Sequence, residues 1–372
     1  MADICSQKKI LFVANVAKEH ICKFHIPSIK KFKTQGWIVD VASKWDAEVP
    51  FVDHQYGMPW NRSPFSMGTI KGALMLRKII KRERYDIIYC HTPVGGFVGR
   101  VAGVGLNVKI VYCAHGLHFY KGAPWVNWLV YYPVEKLLAL ITDAIITIND
   151  EDYKNVARRF RNGVKVFRIP GIGVDFSRLV LPPHLTSRTQ LRNRYNIPDK
   201  AWVLIYVAEL IQNKNQSMLI DSLKKLLQSD INAYLILLGP EHDNGYYKKY
   251  SRKMGVQERV IFTGWQTDIA QFMYMSDICV ASSIREGFGI NLIEAMFCHL
   301  PVVATDNRGH RSIISNGENG FLVPIGDSMQ MAERVLEIIG NPGLFDRLSH
   351  IGVDEFQCDR VADTIYKLIS SL

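Results

Sequence analysis

Short apolar runs rich in Val and Ile, three to seven residues long, return at intervals along this chain, and longer segments with apolar residues at helical spacing lie between them. This constrains the fold more than any other feature. Runs so short and so continuously apolar read as strands buried on both faces, and such strands belong to parallel sheets covered by helices. In the first half the runs are Ile10–Ala14, Ile38–Ala42, Ile87–Cys90, Lys109–Ala114, Ala144–Ile148 and Val164–Ile169, with amphipathic segments such as Thr69–Arg84 and Val126–Leu140 between them. The pattern then restarts with Trp202–Ala208, Ala233–Gly239, Val260–Thr263, Ile278–Ala281, Val302–Ala304 and Gly320–Val323. Helical segments again intervene, including Gln216–Gln228, Ile290–Phe297 and Ser328–Ile339.

Strands alternating with helices make βαβ units. The expected fold class is α/β, with two Rossmann-like doubly wound domains facing a central cleft. A length of 372 residues suits two domains. The joint is expected near Pro170–Pro183, which holds Gly171, Gly173 and Pro182-Pro183. We expect an N-terminal domain over 1–172, a C-terminal domain over 173–350, and a closing helix over 351–372 packing back on the N-terminal domain. Doubly wound sheets bind ligands at the C-terminal ends of their strands. Two facing domains suit a two-substrate transferase, although fold alone does not fix function.

The seven cysteines, Cys5, Cys22, Cys90, Cys113, Cys279, Cys298 and Cys358, form no C-x-x-C pair and no zinc-ligand spacing with histidine, so reduced thiols are expected. The first apolar run is too short for a leader or a membrane span, and Trp125–Ile148 is interrupted by Glu135, Lys136 and Asp143. Charge is uneven. Residues 1–172 carry 25 Lys and Arg against 13 Asp and Glu, a net of +12 in a chain whose total is +10. A basic half suits an anionic partner surface, although lysine-rich solvated helix faces would produce the same count.

The segment with most chemical content is Ser283-Ile284-Arg285-Glu286-Gly287-Phe288-Gly289-Ile290-Asn291-Leu292-Ile293-Glu294. A helix is expected to start at Gly289 or Ile290. Its unpaired N–H groups and positive dipole end would bind phosphate, and the glycines would let the backbone approach. Glu294, about one turn into the helix, could accept two hydroxyl hydrogens from a vicinal diol such as a ribose. Glu286, ahead of the helix, could accept hydroxyls of a sugar. Turn-shaping glycines and a carboxylate that merely supports the helix would explain the same residues. Two histidines follow apolar runs: His91, and His115 in Cys113-Ala114-His115-Gly116. Lys214 lies in Glu209-Leu210-Ile211-Gln212-Asn213-Lys214-Asn215, just before a helix that Asn215 is expected to cap.

The Glu286–Glu294 segment resembles the E-x7-E motif of GT-B retaining glycosyltransferases of family 4, also called group 1. The likeness continues through Leu300-Pro301-Val302-Val303-Ala304-Thr305-Asp306, Gly309 and Gly317-x-x-Gly320-Phe321-Leu322-Val323. In the first half, His91-Thr92-Pro93-Val94-Gly95-Gly96 and Ala114-His115-Gly116-Leu117-His118-Phe119-Tyr120 resemble the bacterial capsule and exopolysaccharide branch. The resemblance spans essentially the whole chain. It implies that His115 and Glu286 serve catalysis. Lys214, Gly287, Phe288, Gly289, Ile290 and Glu294 would hold the donor, with Gly264 beside the nucleobase. His91 and His118 would face the acceptor; His20 and His25, where the first loop departs from the family pattern, could contribute there instead.

Two departures stand out. Position 209 is Glu where the family usually has an arginine on the diphosphate, leaving Arg285 or Arg308 to substitute. The glycine-rich first loop of many relatives is replaced by Asn15-Val16-Ala17-Lys18-Glu19-His20.

The resemblance further implies a nucleotide diphosphate-sugar donor, with UDP favoured, and a polyprenyl-diphosphate-linked saccharide acceptor. No cofactor is expected, and no metal, since no D-x-D arrangement is placed to carry one to the diphosphate. No nucleic-acid partner is expected either. The basic clusters Lys30–Lys33, Arg77–Arg84 and Arg158–Arg161, with Trp125, Trp128, Tyr131 and Tyr132, suggest a cytoplasmic protein docked on the anionic inner face of the cytoplasmic membrane. A sugar-nucleotide epimerase of the same fold and a non-enzymatic protein that binds anionic polymers are the alternatives.

Overall fold

The computed structural model describes residues 7–61, 66–160, 163–181 and 187–372. Cys5, Arg161, Pro182 and Pro183 lie outside them. The chain divides into two compact units, one made of residues 1–173 and 355–372 and the other of residues 174–354.

In the first unit, the elements run β1 Lys9–Val16, α1 Cys22–Phe24, α2 Ile26–Thr34, β2 Ile38–Lys44, β3 His54–Gly57, α3 Met67–Glu83, β4 Ile87–His91, α4 Pro93–Gly103, β5 Lys109–Ala114, α5 Trp125–Ala139, β6 Ala144–Thr147, α6 Asp150–Arg159 and β7 Lys165–Arg168. The seven strands form one parallel sheet in the order β3-β2-β1-β4-β5-β6-β7. In the second unit they run α7 Arg188–Asn193, β8 Trp202–Val207, α8 Gln216–Gln228, β9 Ala233–Leu238, α9 Tyr246–Met254, β10 Val260–Gly264, α10 Ile269–Met275, β11 Ile278–Ala281, α11 Ile290–Phe297, β12 Val302–Thr305, β13 Phe321–Val323, α12 Ser328–Ile339 and α13 Pro342–Ser349. Its six strands are also parallel, in the order β10-β9-β8-β11-β12-β13. The last helix, α14 Cys358–Ser370, belongs to the first unit. It lies against α2, where Asp363 meets Lys31 at 2.6 Å and the Tyr366 ring stands edge-on to Phe32.

All twelve apolar runs are strands, and the named helical segments are helices within a residue or two of their expected ends. The strand missed by sequence reasoning is β3. Its residues, His54-Gln55-Tyr56-Gly57, include no aliphatic side chain. Tertiary contacts place it: the Asp40 carboxylate accepts from the His54 N–H at 2.9 Å, and Asp53, just before the strand, accepts from the Val39 N–H at 2.7 Å. Asn215 does precede α8, but its side chain does not cap the helix. It sits at φ +51° after a tight turn, and its Oδ1 takes the Ser217 hydroxyl at 3.0 Å instead.

Sheet order reverses between β1 and β4 in the first unit and between β8 and β11 in the second, which marks the C-terminal ends of those strands as ligand crevices. Helix α4 can sit close on the first sheet because a Cβ at Gly95 would lie 2.8 Å from Ala14 Cα and one at Gly99 2.4 Å from Cys90 Sγ. A buried ion pair ties α4 to α5. Arg100, fully buried, donates to both Glu135 oxygens at 2.8 and 3.1 Å and to the Gly96 carbonyl at 2.8 Å, and its guanidinium lies 3.9 Å from the centre of the Tyr112 ring.

Helix α5 turns an apolar stripe outward. Val126, Leu129, Val130, Val134 and Leu137 recur at helical spacing and are all exposed, Leu129 by 64% and Leu137 by 66%. Among the described residues, no helix is long and apolar enough to cross a membrane. The six described cysteines, Cys22, Cys90, Cys113, Cys279, Cys298 and Cys358, are free thiols.

Candidate functional site

In the second unit the chemistry gathers where β8, β11 and β12 end. The Lys214 ammonium, brought by the turn after β8, forms an ion pair with the Glu286 carboxylate from the loop after β11. Ser283 Oγ donates to the same carboxylate at 2.6 Å. An ionised carboxylate only accepts, so the single Ser283 hydrogen goes to it, and the buried Tyr206 hydroxyl, 2.6 Å away, must donate to Ser283. Burial alone would raise the Glu286 pKa. Lys214, His310 and the hydrogen bonds hold it below the ordinary value instead.

Helix α11 starts at Ile290, with Gly289 at its N-cap, φ +129°, and no side chain capping it. A Cβ at Gly289 would come within 3.1 Å of His310 Cδ2, and one at Gly309 within 2.4 Å of the Phe288 carbonyl oxygen. Both glycines are therefore needed to close the 286–289 loop against the segment after β12. Phe288 is buried, so its ring holds the loop in place.

Glu294 lies one turn into α11 and is buried. Its carboxylate pairs with Arg178, from the short 3-10 turn Phe176–Leu179. Gly264, at the end of β10 with φ +66°, accepts from the Gly239 N–H at 3.0 Å. Glu209 is exposed, and its carbonyl accepts from Gln216 Nε2 at 2.8 Å. Of the two cations considered in place of the family arginine, Arg285 is exposed, whereas Arg308 is buried with its Nε 3.3 Å from the Glu286 carbonyl oxygen.

His310 and Arg178 escaped sequence reasoning. His310 Nδ1 lies 2.7 Å from the Thr305 carbonyl, which can only accept, so Nδ1 carries the proton. Burial lowers the pKa of His310 despite Glu286 nearby, and its Nε2 has no hydrogen-bond partner. A histidine three residues after an Asn that binds its own backbone was the available signal: Asn307 Oδ1 accepts from the Gly309 and His310 N–H groups at 3.1 Å each. Nothing in sequence marks Arg178, which is 116 residues from Glu294.

In the first unit, three strand ends bring four histidines together: His20 and His25 after β1, His91 at the end of β4 and His115 just past β5. His25 Nε2 and His20 Nε2 are 3.2 Å apart, and His91 Nδ1 and His115 Nε2 are 3.3 Å apart. Burial lowers all four pKa values, that of His20 to about 4, so the rings are neutral. His118 is not part of this group; its ring stacks on Tyr131 with centroids 4.4 Å apart.

The family model described as "Glycosyl transferases group 1" matches residues 187–352, and that described as "Glycosyl transferase 4-like" matches residues 9–149. EpsD of Bacillus subtilis, named as a glycosyltransferase, is 42% identical over 348 residues, 93% of this chain and 91% of its own length. The UDP-Gal:alpha-D-GlcNAc-diphosphoundecaprenol alpha-1,3-galactosyltransferase of Escherichia coli is 25% identical over 69% of this chain and 67% of its own length. HepE of Anabaena, solved in complex with UDP and glucose, shares the fold with a TM-score of 0.77 at 23% identity, covering 98% of this chain and 100% of that one. The chain therefore belongs to the group 1 glycosyltransferases and is a transferase of the GT-B fold, not the epimerase or the non-enzymatic polymer binder that its sequence had left open.

Proposed function

We propose that the protein moves a hexose or N-acetylhexosamine from a UDP-sugar to a polyprenyl-diphosphate-linked saccharide during surface polysaccharide synthesis, with retention of anomeric configuration. The observation that carries this reading is the convergence of Lys214, Glu286 and the uncapped N-terminus of α11 at the C-terminal ends of the central strands β8 and β11. The bound UDP of the HepE structure and the diphosphoundecaprenol substrate in the name of the E. coli relative support the choice of donor and acceptor.

In the proposed step, the bond from the anomeric carbon to the diphosphate oxygen breaks and the diphosphate keeps its electron pair. Lys214 has three donors and spends one on Glu286, so others remain for phosphate. With the first N–H groups of α11 it would stabilise the leaving charge without reorganising. The acceptor hydroxyl attacks the anomeric carbon and gives its proton to a diphosphate oxygen. Glu286, and the bare Nε2 of His310, would accept hydroxyl hydrogens of the donor sugar. Glu294 would take the ribose diol after Arg178 swings away. His115, His91 and His20 would serve the acceptor from the first unit. Neither Lys214 nor the helix N-terminus calls for a divalent ion at the diphosphate.

A panel of nucleotide sugars scored by thermal shift, then by transfer to a polyprenyl-diphosphate sugar, tests the reading. Glu294→Gln is expected to weaken UDP binding about tenfold in calorimetry, the scale of one or two hydrogen bonds to a charged group. Unchanged affinity would remove Glu294 from the nucleotide site.

Membrane docking is proposed for the layer of α3, α4 and α5. On α3, Ile70, Leu74, Lys78 and Lys81 fall on one exposed stripe, and Val101, Val104 and the outer stripe of α5 continue the apolar surface. The other basic clusters are largely engaged: Lys33 pairs with Asp53 at 2.7 Å, Lys31 with Asp363 at 2.6 Å, and Arg159 lies 4.9 Å from the centre of the Trp128 ring. Basic residues near an anionic surface contribute about 1 kcal/mol each. Neutralising Lys78 and Lys81 together should therefore cut binding to phosphatidylserine vesicles by roughly 30-fold. Leu129→Glu should weaken it further without changing thermal stability. Vesicle binding that ignores all these changes would exclude this face.

A further inference from the structure

His20, His91 and His115 are placed on the acceptor side of the proposed transfer, and with His25 they form a cluster that has a second chemistry. Each ring offers one nitrogen, and the four nitrogens all lie within 4.8 Å of one another. Four imidazoles around a zinc ion, with Zn–N distances of about 2.0–2.1 Å in a tetrahedron, hold their nitrogens roughly 3.3 Å apart. The contact between His20 Nε2 and His25 Nε2 is already 3.2 Å. Most ring centres are spread as such a shell requires, and those of His25 and His91, 3.9 Å apart, must part by about an ångström to admit an ion. His20–His25, His25–His115 and His91–His115 stand 5.0, 5.5 and 5.5 Å apart, with interplanar angles of 51°, 79° and 51°.

The surroundings argue that these rings are not there for packing alone. Phe12, Phe24 and Tyr89 line the cluster, and an aliphatic side chain would fill that space without leaving polar atoms behind. Instead, the Nε2 of the wholly buried His91 has no hydrogen-bond partner. The elements that carry the rings are independent: a π-helical turn over Ala17–Ile21, the start of α2, the end of β4 and the loop after β5. Backbone geometry at three separate strand ends thus converges on one point.

We propose that His20, His25, His91 and His115 bind a divalent transition-metal ion of the zinc type. The donor set names the class. It is all imidazole with no carboxylate, which suits Zn²⁺, Co²⁺, Ni²⁺ or Cu²⁺ and offers nothing to Mg²⁺ or Ca²⁺, which want oxygen. His115 is the least buried of the four, so ion and solvent reach the cluster from its side. The ion would keep its full charge among neutral ligands. If the acceptor is a diphosphate-linked lipid, as proposed above, that charge gives the first unit an anchor for phosphate; this consequence rests on that reading, and the metal site itself does not.

The test uses the full chain, stripped with chelator and titrated with Co²⁺, Zn²⁺ and Mg²⁺. We expect one Co²⁺ per chain with the intense visible bands of tetrahedral coordination, displacement by Zn²⁺, and no response to Mg²⁺. His25→Gln and His91→Gln should each weaken Co²⁺ binding at least tenfold. If these variants fold poorly, X-ray absorption on the zinc-loaded wild type decides the matter: a shell of imidazole nitrogens at about 2.0 Å supports the site, and an oxygen-dominated shell overturns it. Absence of stoichiometric Co²⁺ binding, or equal binding by folded variants, also overturns it. Neither readout depends on glycosyl transfer, so this inference and the proposed function can fail separately.

Discussion

Glu286→Ala is expected to lower kcat for sugar transfer by two to three orders of magnitude while leaving UDP affinity within a few fold. The magnitude is that of removing one preorganised polar contact from a reacting centre. The asymmetry between kcat and affinity follows from position. The Glu286 carboxylate sits ahead of α11, where the donor sugar is proposed to lie, whereas the nucleotide would be held further into the helix. The variant should still fold, because the Lys214 side chain is 23% exposed and can be hydrated once its partner is gone. Freed Lys214 would then face phosphate alone, which works against any loss of UDP binding. Glu286→Gln separates charge from shape: it keeps an acceptor oxygen and loses the ion pair. Because the native carboxylate stays ionised below its ordinary pKa, an acid limb due to Glu286 should fall beneath the usual glutamate range. Steady-state kinetics and calorimetry on the same preparations check both halves. Full transfer activity in Glu286→Ala would refute the site.

The second large effect concerns stability. Arg100→Ala should destabilise the first unit by about 3 kcal/mol, the lower end for breaking a buried ion pair, since the Glu135 side chain keeps 15% exposure and can partly rehydrate. For a unit of this size that corresponds to a fall in Tm of roughly 6–12 °C. The loss has three parts: the bidentate pair, the bond to the Gly96 carbonyl, and the contact with Tyr112. The double variant Arg100→Met with Glu135→Leu should recover most of the loss, because it removes both charges instead of stranding one. Calorimetric unfolding measures this directly. A double variant no more stable than Arg100→Ala would mean that the pair itself is not the source.

Much of this could be read before any coordinates. Strands buried on both faces announce themselves by continuous Val and Ile, which is why β5 and β11 were placed to the residue. Strand β3 was invisible because its register depends on Asp40 and Asp53, not on its own side chains. The loop from Glu286 to Gly289 was legible because a helix N-terminus, two glycines and a carboxylate are neighbours in sequence. The pairings were not: Lys214 lies 72 residues from Glu286 and Arg178 lies 116 from Glu294, and no local pattern encodes such a meeting. The histidines show both sides. All four were singled out for the acceptor side or catalysis, each by its place after an apolar run or in or near the first loop. Their convergence, and the exclusion of His118, required the sheet.

The Arg178–Glu294 pair has a consequence for the life of the protein between turnovers. A buried carboxylate would ordinarily be a weak point, because alone it would be an uncompensated charge. Here the chain supplies its own stand-in from a nearby turn. With no nucleotide bound, the second unit therefore holds no uncompensated charge at Glu294.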